Sequence, residues 1–261
     1  MSAVAEELRR LLTALQFLTR LPVPAWTGFE PQRLNRCVRH FPLVGAFVGI
    51  VGAGVLVAAA AWWPPLVAAA LSVMATAWLT GAFHEDGLAD TFDALGGSVS
   101  RERALAIMKD SRIGSYGALA LALVLGLRVA LLAALVPQGA AVAATGVVLA
   151  HALGRGAAVV LMGLLPYAGD AGHAKAKPLA TAVRRIDVAI ALGCSLALAA
   201  GASASGVPPA RALAALATAA LVVAVLRAWF MRRLGGYTGD TLGAAEQLVE
   251  CAVLLALTAA A

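Results

Sequence analysis

The acids of this chain, which are few, concentrate in one run: His84-Glu85-Asp86-Gly87-Leu88-Ala89-Asp90-Thr91-Phe92-Asp93-Ala94-Leu95-Gly96-Gly97. Asp86, Asp90 and Asp93 fall at i, i+4 and i+7, a spacing that puts them on one face of an α-helix. Glu85 sits at the edge of that face, roughly 80–100° away at about 3.6 residues per turn. Carboxylates this close repel one another, by about 0.2–0.5 kcal/mol per exposed pair and more when desolvated. A cation between them removes that cost. Hard carboxylate oxygens suit Mg²⁺, Mn²⁺ or Ca²⁺ rather than zinc, and Mg²⁺ normally combines one or two carboxylates with the phosphates of a substrate. The chemistry implied is a metal site for a diphosphate, with Asp86, Asp90, Asp93 and Glu85 as candidate ligands. A solvated acidic helix face has the same spacing. The position of the cluster, directly after a hydrophobic span, favours the metal site.

Two further stretches could serve such a site. Lys109-Asp110-Ser111-Arg112-Ile113-Gly114 mixes cations, a hydroxyl and flexible backbone. Arg112 can grip phosphate oxygens bidentately, and Gly114 and Gly117 allow backbone to approach a ligand closely. On spacing alone, a positive-inside loop is the commoner meaning. Gly235-Gly236-Tyr237-Thr238-Gly239-Asp240 immediately precedes a helix whose free N–H groups and dipole suit an anion. Asp240 could equally cap that helix. Arg128 and Arg155 lie near the middle of apolar spans, where ionisable groups are costly and face a bundle interior or a wet cavity. His151 precedes Arg155 by one turn, and Glu246 and Glu250 repeat the same spacing. These residues either pair inside the bundle or line a polar pocket open to one face. His84 is a candidate base, ligand or interface residue.

The elements that must position these groups are membrane helices. Of 261 residues, 61% are hydrophobic and 13% charged, against about 45–50% and about 25% in an ordinary globular domain. Several runs exceed the roughly 20 apolar residues that cross a bilayer. The expected fold is an all-α polytopic bundle forming a single catalytic domain over 1–261. Residues 4–20 form an amphipathic surface helix, ended by Pro22 and Pro24, and a basic linker runs to about residue 40. Seven spans follow, over about 41–63, 66–83, 118–136, 140–165, 186–204, 213–230 and 241–257. The second runs on without a break into the acidic stretch, which Gly87 weakens. Gly96-Gly97 ends that helix, and Ser100 caps a short helix over 101–109. The N-terminus lacks the basic-then-apolar pattern of a cleavable signal. Cys37, Cys194 and Cys251 are scattered and suggest neither disulfides nor zinc.

With the N-terminus inside, 17 of the 20 Lys and Arg fall in the cytoplasmic segments or, for Arg227, toward the cytoplasmic end of the sixth span. The net charge of +6 thus reflects topology and not nucleic-acid binding. The same orientation brings 84–117 and the Gly235–Asp240 loop to the cytoplasmic face. Membrane lipid is the expected surrounding, and the sequence leaves a homo-oligomer open.

Taken together, His84-Glu85-Asp86-Gly87-Leu88-Ala89-Asp90-Thr91, Asp110-Ser111-Arg112-Ile113-Gly114 and Gly235-Gly236-Tyr237-Thr238-Gly239-Asp240 resemble the cobalamin synthase family of adenosylcobinamide-GDP ribazoletransferases. Phe17-Leu18-Thr19-Arg20-Leu21-Pro22-Val23-Pro24 and Phe41-Pro42-Leu43-Val44-Gly45 are similar to its N-terminal segments. The resemblance spans nearly the whole chain. It departs from the family pattern at Phe92 and Ala94, neither of them a carboxylate. It implies an integral inner-membrane enzyme that needs Mg²⁺. Its substrates would be adenosylcobinamide-GDP and α-ribazole or its 5′-phosphate; its products would be adenosylcobalamin or its 5′-phosphate, and GMP. On that reading Glu85, Asp86, Asp90 and Asp93 hold the metal. Lys109, Asp110, Ser111, Arg112, Arg155, Gly236 and Thr238 meet the substrates, and His84 or Asp240 takes the ribazole hydroxyl proton.

Membrane CDP-alcohol phosphotransferases share the chemistry, but their motif carries Ala-Arg after the first Asp-Gly where this chain has Leu88-Ala89. A transporter would suit the spans, yet the acids cluster at one surface and no inverted repeat is visible. A purely structural scaffold has no need of so dense an acidic site.

Overall fold

The computed structural model describes residues 3–28, 30–169 and 182–259. Lys175 and Lys177, two of the cations expected on the cytoplasmic side between the fourth and fifth spans, lie outside the described residues. The described chain is helical, with one isolated bridge, Tyr167 to Tyr237, in place of any strand. The helices are α1 (Ala3–Leu18), α2 (Pro31–Cys37), α3 (Phe41–Ala60), α4 (Pro65–Thr80), α5 (Phe83–Leu95), α6 (Arg101–Ile107), α7 (Ser115–Leu135), α8 (Ala140–Leu164), α9 (Arg185–Ala202), α10 (Pro209–Leu234) and α11 (Gly239–Thr258). Six of them are long and apolar enough to cross a membrane, and seven if α4 and α5 are taken as one broken span. The protein is a multi-pass helical bundle. Helices α8 and α11 form its centre: 78% and 83% of their apolar windows are buried, against 22% for α10. A helix buried on all sides packs against protein and not lipid, so it can carry charge if the charge is paired.

One expectation fails in an informative place. The second span does not run on into the acidic stretch; α4 and α5 meet at 91°. The corner is a Schellman stop. Gly81 takes the left-handed conformation (φ +73°), its N–H bonds Trp78 O at 3.2 Å, and the Ala82 N–H reaches back to Ala77 O at 2.7 Å. Ala82 is also left-handed, at φ +56°. The N-terminal segment straps this corner. The Arg20 N–H donates to Leu79 O at 2.8 Å, and a Cβ on Gly81 would lie 2.5 Å from Arg20 Nε. Gly81→Ala should therefore cost about 1–2 kcal/mol for the left-handed backbone alone, read as a lower melting temperature in detergent. An unchanged melt would mean that the corner carries no strain.

Because of the corner, α5 leaves the direction of α4 and lies across the ends of α7 and α11. At that end, Arg233 donates to Leu95 O at 2.9 Å and to Gly97 O at 2.7 Å, closing the C-terminus of α5. Arg101 donates to Leu234 O at 2.7 Å and to Ala168 O at 3.2 Å, joining α6 to the ends of α10 and α8. Arg39 joins Glu7 of α1 at 2.9 Å and Asp187 of α9. The acidic helix, the Lys109–Gly117 loop and the Gly235–Asp240 loop thus share one end of the bundle. Trp62 and Trp63 lie at the opposite end, where Arg211 meets Gln138 at 2.6 Å.

Candidate active site

Helix α5 lies directly on the start of α11. A Cβ on Gly87 would lie 2.8 Å from Asp240 O and 3.0 Å from its Cα, so this crossing admits only glycine. Gly87 is thus a contact point and not a weak link in the helix. Asp240 is thereby brought against the acidic face of α5. Asp86 is exposed, and Asp90, Asp93 and Asp240 are half-buried. Burial, and then the carboxylates of Asp240, Asp86 and Asp93, push the Asp90 carboxyl up to about 7. Three like charges converge around one partly desolvated carboxyl, and only oxygen donors are offered. That donor set fits a hard divalent cation.

Not all four predicted ligands face that way. The Asp93 carboxylate accepts the N–H of Gly114 at 2.7 Å and of Gly117 at 2.8 Å. Those are the first free donors of α7, so Asp93 caps this helix from another element. The flexible backbone of Gly114 and Gly117 does approach an anion, but the anion is the chain's own. Asp93→Ala should cost about 1–2 kcal/mol in stability and leave unchanged any divalent-cation binding that Asp86 and Asp90 support. Metal titration that fails for this variant would return Asp93 to the ligand set.

Glu85 departs further. It is buried, its Oε1 lies 3.4 Å from Gln247 Nε2 and 4.0 Å from Arg128 Nη1, and so it points into the bundle, away from the Asp face. One residue along a helix is about 100° of rotation, enough to move a carboxylate from solvent-facing to core-facing. His84 also turns inward: 2% exposed, with Nε2 2.8 Å from Glu246 Oε2. Its position fits a tie between α5 and α11 better than a base at the Asp face.

Both residues enter a buried ionic network through the middle of the bundle. Glu250 meets Arg128 at 2.8 Å, His151 at 2.6 Å and Arg155 at 3.2 Å, and Arg155 meets Glu246 at 2.7 Å. Arg128 also donates to Gln247 Oε1 at 3.0 Å and Thr76 Oγ1 at 3.3 Å. His151 sits between the two guanidiniums, its Nε2 3.1 Å from Arg128 Nη2 and its Nδ1 3.1 Å from Arg155 Nη1 and 2.6 Å from Glu250. Among the described residues, the side chains that bring three metal-ligating atoms within 4.8 Å of one another are His151, Glu246 and Glu250. Two guanidiniums already neutralise that group, so it reads as an ion-pair cluster. Arg155, 1% exposed and held by both glutamates, is committed to the network and not presented to a phosphate. Of the two meanings open in the sequence, pairing inside the bundle is the one observed. Gln247 and Thr76, which carry no charge pattern, were not legible as its members.

The loop residues fare differently. Lys109, Ser111 and Arg112 are exposed at the same end. Arg112 grips Asp110 at 2.9 Å and 2.5 Å, and that bond holds the Asp110 carboxyl down at about 2. Thr238, and not Asp240, caps α11. Its Oγ1 accepts the Thr241 N–H at 3.3 Å, and the Thr241 hydroxyl accepts the Thr238 N–H at 2.8 Å. Asp240 is therefore free of the capping role and stays beside Asp86 and Asp90. Gly236 is buried where Tyr237 N bonds Pro166 O at 3.0 Å, a close passage of two backbones.

Residues 10–258 match the family model described as cobalamin-5-phosphate synthase. The chain is 55% identical to the adenosylcobinamide-GDP ribazoletransferase of Leptothrix cholodnii, over 98% of this chain and 97% of the relative. It is 47% identical to the protein of that name from Ralstonia nicotianae, over 99% and 98%, and 42% identical to that of Shewanella amazonensis, over 98% and 97%. No solved structure matches the chain. A match over nearly its full length, joined to an acidic helix, a capped basic loop and a Gly-rich helix start at one end of the bundle, makes this chain a member of the cobalamin-5-phosphate synthase family.

Proposed function

We propose that the protein transfers the adenosylcobinamide phosphate group from adenosylcobinamide-GDP to α-ribazole or its 5′-phosphate. GMP is released, and the nucleotide loop of cobalamin is completed. Full-length similarity to proteins of that name supports the reading, and the observation that carries it to the residues is the convergence of Asp86, Asp90 and Asp240 on two touching helices. In the bacterial inner membrane this end would face the cytoplasm, an orientation that the Lys and Arg distribution supports.

Asp86 and Asp90 hold Mg²⁺, which when bound would neutralise and orient the diphosphate. Asp240, across the α5–α11 crossing, accepts the proton of the ribazole hydroxyl. That oxygen forms its bond to the cobinamide-side phosphorus as the bond to the GMP oxygen breaks. Lys109 and Arg112, on the exposed loop, supply positive charge to the remaining phosphate oxygens. The chain's part is positioning and charge balance, the main burden in phosphoryl transfer.

The test is GMP release from adenosylcobinamide-GDP by the purified protein, with α-ribazole present and absent and with Mg²⁺ or EDTA. Release that needs both α-ribazole and Mg²⁺ is expected. Turnover in EDTA would remove the metal, and absence of release in all arms would remove the reaction. Because a proton and the cation compete for Asp90, Mg²⁺ affinity should fall as the pH drops below about 7. Titrations giving equal affinity at pH 6 and pH 8 would contradict that assignment of Asp90.

A further inference from the structure

Helices α8, α9 and α10 leave a cleft of about 440 Å³ between them, away from the α5–α11 crossing. Its walls are small and apolar, with Gly156 and Ala157 on one side and Ala220 and Ala224 on the other. It runs from Leu153 to Leu164 along α8 and from Leu216 to Arg227 along α10, eleven residue steps on each. At about 1.5 Å per residue that is about 16 Å, the depth of one leaflet of a hydrocarbon core about 30 Å thick. Arg227 is its one charged lining residue, exposed and at the end nearer the acidic site. It lies seven residues before Leu234, about 10 Å inside the end of α10. Among the described residues no acid pairs with it. An arginine at that depth is costly unless it reaches an anion at the interface.

We propose that this cleft is a binding site for an anionic phospholipid of the leaflet on the active-site side. One acyl chain fills the groove between α8 and α10, and the headgroup phosphate sits on Arg227. The groove's length, its small apolar lining and the single cation at its headgroup end are the three features such a ligand needs. Water is a poor occupant, since the lining offers few polar partners.

The experiment uses the full chain in detergent, with phosphatidylglycerol or phosphatidylcholine added and retained lipid counted by native mass spectrometry. One phosphatidylglycerol per chain is expected to be retained in preference to phosphatidylcholine. Arg227→Gln, an exposed change that cannot unsettle the core, should weaken phosphatidylglycerol about fivefold and leave phosphatidylcholine unchanged. Ala220→Trp and Ala224→Phe, both at exposed positions in the cleft, should weaken both lipids. Equal retention by wild type and the two filled variants would overturn the proposal, as would no headgroup preference in the wild type. A stable dimer that Ala220→Trp converts to monomer would also overturn it, since a second copy would then be the occupant.

Discussion

Asp90→Asn should abolish turnover, by about 10²–10³-fold or more, and at the same time make the metal-free protein more stable near pH 8. The two effects have one cause. Burial and three neighbouring carboxylates raise the Asp90 carboxyl to about 7 from 3.8. An acid raised by folding binds its proton more tightly in the native state. Its contribution to stability is therefore fully present below about pH 4 and is lost as the pH rises toward 7. At pH 8 without a cation, the native state carries the unfavourable charge, and Asn removes it. With Mg²⁺ present the order should invert, because the wild type gains binding energy that the variant lacks. Melting curves of both proteins in EDTA and in Mg²⁺ read this directly. A variant less stable than wild type in EDTA at pH 8 would show that Asp90 makes a favourable native interaction instead.

The second large effect is on the fold. Arg155→Met should destabilise the protein by about 3–5 kcal/mol, because it strips Glu246 and Glu250 of a shared cation while both remain 1% exposed. Adding Glu246→Gln should recover part of the loss, since the pair and not each charge alone is what the bundle accommodates. Reversible unfolding in mixed micelles would measure both. A single variant within about 0.5 kcal/mol of wild type would mean that water or another group already neutralises the glutamates.

The span pattern was readable because membrane helices declare themselves by length and apolarity, and most ends fell within a few residues of those observed. The α4–α5 corner was not read, although its signal was present: Gly81 is a helix-stop residue, masked by apolar neighbours that continue the hydropathy run. What no one-dimensional pattern could supply is the strap from Arg20, sixty residues earlier. Within the site, i, i+4 spacing put Asp86, Asp90 and Asp93 on one face but did not tell which carboxylates neighbouring helices engage. Glu85 adjoins them in sequence yet faces Arg128, and Asp93 shares their face yet spends both oxygens on α7. Helical periodicity gives direction only around an axis. Whether a carboxylate meets solvent or a neighbouring helix depends on packing that the spacing does not encode. Thr238 shows the same limit: the sequence offered Asp240 as the cap, and the capping box with Thr241 gives that role to Thr238.

The buried network also bears on how the chain is made. Arg128, His151 and Arg155 belong to α7 and α8, but the two carboxylates that balance them, Glu246 and Glu250, arrive on the last helix. During synthesis, roughly ninety residues must emerge after α8 before its cations meet their partners. Until then Arg155 lacks both its carboxylates and Arg128 has only Glu85 of α5, 4.0 Å away, at a depth where an arginine costs about 2.5–3.5 kcal/mol to insert. The network is thus incomplete until α11 arrives and closes it. A ribosome that stalls ahead of residue 246 would leave a product that the cell's quality-control proteases should clear.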